Sequence, residues 1–323
     1  MRYRTVGRSG LAVSVVGLGC NNFGKTLEPD AARAVCNAAL DCGITLFNTG
    51  DTYGRADGTT TPRSEGMLGT ALRSHRDEVV IATKFGNDMF GLNGPDWDAR
   101  GSRRYVRTAV ERSLRMLQTD WIDLYEIHNP DPRTPIEETL SVLDDLIHEG
   151  KIRYAGASNF AAWQLVDADW TARARGCDRF VSVETEYSLL RRDAEKEIIP
   201  ACTQLGIGLL PYFPLAHGLL TGKYRGGAIP SGSRLETWGM PGYLTEARLV
   251  AVERLHTFAE ARSISTLDLA IGGLAAEPCV SSVIAGATTP EQVRANAQAG
   301  DWVPDAADLD EIRALGQAVE ARP

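Results

Sequence analysis

No run in this 323-residue chain comes near the roughly 18 consecutive apolar residues that a membrane-spanning helix requires, and the opening MRYRTVGRSG has no apolar core of the secretory kind. A cytoplasmic location is the expectation. Basic residues are in the minority, 34 against 42 acidic ones, and a net charge of −8 leaves no footprint for DNA, RNA or an anionic membrane surface. An anionic ligand would need a local site. The six cysteines (Cys20, Cys36, Cys42, Cys177, Cys202, Cys279) include no C-x-x-C pair in a chain too long to need disulfides, which points to reduced thiols. The five histidines (His75, His128, His148, His217, His256) share no ligand spacing, so no metal site is expected. The glycines of GLG at 17–19 are not continued into G-x-G-x-x-G, which removes the fingerprint of an open dinucleotide-binding sheet. Linkers, internal repeats and low-complexity tracts are also missing, so residues 1–323 are read as one domain.

What is present is an ordinary globular composition, 43% hydrophobic and 24% charged, with short β-rich apolar runs alternating with helical patterns. There are eight such runs: 13–19, 44–49, 78–86, 121–128, 152–159, 180–188, 206–213 and 280–287, each followed by a candidate helix. Val106, Val110, Leu114 and Leu117 mark a helix over 103–119. In TPIEETLSVLDDLIHEGKI, Thr134 reads as an N-cap with Glu137 three residues on, Pro135 as the first helical residue and Gly150 as the stop. Eight βα units over about 275 residues fit a closed (β/α)₈ barrel better than a doubly wound sheet. Residues 2–12 read as a hairpin turning at Ser9-Gly10 and plugging the barrel bottom. Long loops at 86–102 and 214–244 follow the third and seventh strands, on the face where such barrels hold their sites.

Strand ends on that face aim side chains at a common pocket. The second, third and fourth strands end in FNTGDTYG, ATKFG and YEIHNPD, offering Tyr53, Lys84 and His128 as proton-handling groups. Each alone is an ordinary structural residue. Together with GLGCNNFG, TYGRAD, TKFG, DLYEIHNPDP, GASNF, EYSLLRR, YFPLAHGLLTGKY and VIAGATTPEQVRANA, in that order, they make the chain resemble the aldo-keto reductases over nearly its whole length.

The resemblance implies a (β/α)₈ barrel, a nicotinamide dinucleotide across its mouth and hydride transfer between the nicotinamide and an aldehyde or ketone, or the corresponding alcohol. It makes Tyr53 the proton donor, Lys84 the cation that lowers the tyrosine pKa, and His128 a second hydrogen-bond donor to the carbonyl. It places Gly19, Ser158, Asn159, Glu184 and Tyr212 around the nicotinamide, and Pro214, Leu215, Gly218, Gly222 and Lys223 around the pyrophosphate. Gly286, Thr288, Gln292 and Asn296 fall at the adenosine. NADP(H) is the expected cofactor, with NAD(H) open, and Arg294 or the helix N-terminus near Thr289 are candidates for a 2′-phosphate. A small, hydrophobic or aromatic carbonyl substrate follows if Phe23, Phe85, Met89, Phe90, Trp97, Trp238 and Tyr243 wall the pocket.

Two positions depart from the family. Asn48 stands where these reductases carry an aspartate, and Glu184 where they carry a glutamine. Read from the sequence, Asn48 leaves Lys84 without its anion, so reduction is expected to be slow and Asn48→Asp to speed it. The departures are either drift or altered chemistry, and His217 in PLAHGLL either reaches the site or points to solvent. Three readings follow: an NAD(P)H-dependent carbonyl reductase, a dinucleotide-binding regulatory or sensing protein with little turnover, or a barrel lyase or isomerase without cofactor.

Overall fold

The computed structural model describes residues 1–55, 61–224 and 227–316. Ala56 and Asp57 of the TYGRAD motif, and Arg225 and Gly226 of the 214–244 loop, lie outside the described residues. Eight parallel strands close into a barrel: β3 (Val16–Gly19), β4 (Leu46–Asn48), β5 (Val80–Phe85), β6 (Ile122–Ile127), β7 (Ile152–Ser158), β8 (Ser182–Glu186), β9 (Gly208–Tyr212) and β10 (Val283–Gly286), the last bonded to both β9 and β3. Every one of the eight apolar runs holds one of these strands. The first run is split, because its beginning belongs to a hairpin of β1 (Tyr3–Thr5) and β2 (Ala12–Ser14).

That hairpin turns earlier than the sequence implies. Val6 accepts from the Ser9 amide at 3.2 Å, and Gly7 takes the left-handed φ of 54°. A Cβ on Gly7 would stand 2.4 Å from the Gly206 carbonyl, so only glycine lets the turn seat on the start of β9. Ser9 serves instead to brace the return, donating to the Val6 carbonyl at 2.7 Å. The turn brings Val6, Leu11 and Val13 against the inward Leu46, Ala82, Leu124, Leu210 and Ile284, a closed apolar floor separate from the main core.

The main core lies between the outer strand faces and the helices α1 (Pro29–Asp41), α2 (Ser64–Leu72), α3 (Arg103–Leu117), α4 (Ile136–His148), α5 (Ala162–Arg175), α6 (Ile198–Leu205), α9 (Thr266–Ala275) and α10 (Pro290–Ala299). Between α6 and α9, α7 (Arg234–Thr237) sits in the long loop after β9 and α8 (Glu246–Ala261) follows it; α11 (Ala306–Gly316) comes after α10. In α3 the apolar stripe is buried as its spacing requires, Ser102 caps the start, and Gln118 ends it in the left-handed region at φ 55°. α4 starts one residue later than its motif suggests: Pro135 is the N-cap. The Thr134 hydroxyl donates to Asp131 at 2.7 Å, and no side chain caps the helix.

Candidate active site

Side chains alternate along a strand, so the residue two beyond each floor residue faces the barrel interior one layer higher. On β4 the floor residue Leu46 is followed by Asn48, on β5 Ala82 by Lys84, on β6 Leu124 by Glu126, and on β9 Leu210 by Tyr212. The interior changes from apolar floor to charged mouth within one repeat of the pleat. The same alternation turns Phe85 outward, where its ring stacks on Tyr125 at 4.7 Å and takes no part in the pocket.

Lys84 is fully buried. Its ammonium donates to Asn48 Oδ1 at 2.7 Å and to the Thr49 carbonyl at 2.8 Å, and lies 3.1 Å from Glu184 Oε2. The Asn48 amide in turn donates to Glu184 Oε2 at 2.7 Å. The expectation that Asn48 leaves Lys84 unneutralised is therefore corrected, since Glu184 reaches across the mouth from β8 to supply the anion. Burial works against the charged lysine but is outweighed by Glu184, Tyr53 and Glu126, and the group is held above the ordinary lysine range.

Glu126 sits beside Lys84 in register and accepts from the Ser182 hydroxyl at 2.7 Å, across the intervening β7. The bond passes over Gly156, whose missing Cβ would lie 2.1 Å from Ser182 Oγ. Burial, helped by the negative Glu184 and opposed by Lys84, pushes Glu126 up to about 8.

Tyr53 follows β4, with the Lys84 ammonium 5.0 Å from its ring centroid and the His128 ring edge-on at 5.7 Å. Sequence reasoning has the lysine lower the phenol. It pulls that way, but burial outweighs it, and Tyr53 ends above the ordinary tyrosine value. His128 is pushed down to about 3 by burial and then by Lys84, which keeps the imidazole neutral. Its Nδ1 lies 2.9 Å from the amide nitrogen of Asn87, whose oxygen is occupied by the Asn129 amide at 2.6 Å. That donor order assigns Nδ1 as acceptor and leaves the His128 proton on Nε2.

Tyr53 and His128 open onto a cavity of about 780 Å³ that runs along the strand ends from β6 to α10. Of the residues expected around a cofactor, Gly19, Ser158, Asn159, Glu184, Tyr212, Pro214, Leu215, Gly218, Lys223, Gly286, Thr288, Gln292 and Asn296 all line it, as does Asn48. Gly222 does not, and Lys84 lies beneath the wall. Asn159 ties one end together, donating to the His128 carbonyl at 2.9 Å and accepting from the Tyr212 hydroxyl at 2.8 Å. At the other end Thr289 caps α10 and the Asn296 amide reaches the Gly286 carbonyl at 3.5 Å.

The aromatic wall is largely corrected: of the seven residues named for it, only Trp238 lines the cavity. Phe23 and Met89 are buried in packing, while Phe90 and Trp97 face solvent under Arg55 and Arg104. Tyr243 packs edge-on against His217 at 4.6 Å. His217 reaches the wall, pushed down to about 4 by burial and by Arg234 and Arg248. Arg294 is 56% exposed and pairs with Glu291 at 3.7 Å, outside the cavity. Besides Lys223, the cation that lines it is Arg234, stacked at 5.6 Å on Phe213 and 4.5 Å on Trp238 and donating to Asn22 at 3.3 Å. Sequence reading misses Arg234, which stands in a loop with no local pattern, and also Asn22, three residues past the end of β3 and open to detection.

A cavity along the strand ends with two cations among its described lining residues, Lys223 and Arg234, together with a tyrosine and a neutral imidazole fits a dinucleotide by its donor set and volume. The family model described as Aldo/keto reductase family matches residues 15–317. Among similar proteins, a probable voltage-gated potassium channel subunit beta from Arabidopsis thaliana is 34% identical over 100% of this chain and 99% of its own length. The uncharacterized oxidoreductase YrpG of Bacillus subtilis (strain 168) is 35% identical over 91% of this chain and 89% of its own. The L-glyceraldehyde 3-phosphate reductase of Escherichia coli (strain K12) is 33% identical over 93% of this chain and 87% of its own. With a closed eight-stranded barrel, a strand-end cavity and a match across nearly all of its length, this chain belongs to the aldo/keto reductase family.

Proposed function

We propose that the protein is an oxidoreductase that reduces an aldehyde or ketone with a nicotinamide dinucleotide, NADP(H) by preference. The observation that carries this reading is the meeting of Tyr53 and neutral His128 on one cavity wall, with the Lys84 ammonium fixed behind the tyrosine ring. The nicotinamide, when bound, supplies the hydride.

The residues of the chain handle the charge that develops on the carbonyl oxygen. Tyr53 donates its phenolic proton to that oxygen, and burial keeps the phenol protonated until it is needed. Lys84 favours the resulting tyrosinate by its charge. His128 donates a second hydrogen bond from Nε2 and fixes the carbonyl's direction. Asn159, Ser158 and Tyr212 shape the nicotinamide end, while Lys223 and Arg234 offer their charge to phosphate groups.

A sensing role with little turnover draws support from the likeness to the Arabidopsis subunit. The test separates the two. Tyr53→Phe should abolish reduction of 4-nitrobenzaldehyde by NADPH and leave cofactor affinity, read from nicotinamide fluorescence, within a few fold. Turnover retained in the variant removes Tyr53 from this role, and tight NADPH binding without turnover in the parent favours sensing.

A further inference from the structure

We infer that Glu184 is the positioning counter-ion of Lys84 and Asn48 the neutral bridge between them, so that positions 48 and 184 form one unit with room for a single carboxylate. The kinetic arm of this inference rests on the reductase reading; the structural arm rests on geometry alone.

An amide side chain carries one acceptor and one donor group, and Asn48 uses each where it is required. It accepts from the Lys84 ammonium at 2.7 Å and donates to Glu184 Oε2 at 2.7 Å, while Lys84 and that oxygen meet at 3.1 Å. Lys84 is fully buried and Glu184, at the cavity wall, is only 3% exposed, so solvent does little to relieve a mismatch here. An aspartate at 48 would still accept from Lys84, but its other oxygen would face the Glu184 oxygen with no hydrogen between them. Two carboxylates at that distance cannot both stay ionised. A glutamine at 184 has the opposite defect, because it leaves the buried ammonium with no anion in contact.

Making both changes repairs both defects: the amide placed at 184 donates, the carboxylate placed at 48 accepts, and the ammonium regains an anion from the other strand. The groups facing Glu184 are Asn48 from β4, Tyr53 from the loop after it, Lys84 from β5, Glu126 from β6 and Tyr212 from β9. Of these only Lys84 is a cation, so the anion at 184 has a single partner to hold.

The test is the four-member cycle of parent, Asn48→Asp, Glu184→Gln and the double variant, read in two ways. In cofactor-free protein, both single variants should lower the thermal midpoint and the double variant should recover most of the loss. In steady state with 4-nitrobenzaldehyde and NADPH, each single variant should lose at least about tenfold in kcat and the double should return towards the parent. The rate of Asn48→Asp should rise as the pH is lowered and one carboxylate takes a proton, a gain that the parent lacks. Midpoints that add without coupling, or an Asn48→Asp protein as stable and as fast as the parent, overturn the inference. Coupled midpoints with no turnover in any form uphold the pairing and sink the reductase reading; additive midpoints with equal turnover in all four do the reverse.

Discussion

The tautomer of His128 is decided by Asn87, a residue outside every motif read from the sequence. Asn129 donates to the Asn87 oxygen, which turns the Asn87 amide nitrogen towards Nδ1 and keeps the histidine proton on Nε2. Asn87→Asp exchanges that donor for an acceptor, draws the proton to Nδ1 and leaves Nε2 unable to donate. Its kcat should fall by about 10²–10⁴ with cofactor affinity retained, whereas Asn87→Ala, which imposes no tautomer, should lose less. Equal rates for the two variants would show that Asn87 does not set the proton. His128 itself was legible, because it ends a strand run; Asn87 was not, because the meeting of residues 87, 128 and 129 depends on β5 and β6 lying side by side.

Among the elements, the loop after β9 is the one whose position the sequence placed correctly while leaving its cavity-lining Arg234 unnoticed. Its position on the strand-end face follows from chain order alone. The turn itself is built from left-handed backbone at Phe213, Ala216, His217 and Gly218, and this brings Arg234 back over the cavity between two aromatic rings. Arg294, on the outer surface of α10, was the more visible candidate for a phosphate and is paired elsewhere. Arg234→Ala is expected to weaken NADPH binding by about 1–3 kcal/mol, the range of a lost charge-assisted contact, while Arg294→Ala leaves it unchanged. Fluorescence titrations of both variants decide this, and the opposite order would return the phosphate to the helix.

For the molecule as a whole, the unusual feature is how much ionisable material the fold buries. Asp51 and Glu65 are buried and held above the carboxylate range chiefly by that burial, and Glu126 is raised to about 8. The sign for Glu126 follows from linkage. Its carboxyl binds a proton more tightly in the folded chain than in the unfolded one, so its contribution is fully present below the unfolded carboxylate value. That contribution is lost as the pH rises towards 8. Glu126→Gln keeps an acceptor for Ser182 and removes the titration. The urea midpoint of the variant, relative to the parent, should therefore climb between pH 5 and 8; a constant difference would mean that Glu126 ionises as freely folded as unfolded.

The sequence by itself determined the eight strands, their parallel order, the hairpin plug and the face that carries the site. Each of these follows from local periodicity and from the rule that consecutive βα units pack side by side. It also named Tyr53, Lys84 and His128, because strand ends can be read from a single run. Only the tertiary structure decided where the anion stands. Asn48 and Glu184 are separated by 136 positions in the chain yet joined by a 2.7 Å hydrogen bond, through a closure of β4 and β8 onto one interior that no local pattern encodes. The loss of a carboxylate at one position and its gain at the other read along the chain as two separate departures on one site. In the barrel they are one arrangement, because Lys84, buried between them, requires one anion and has room for no more.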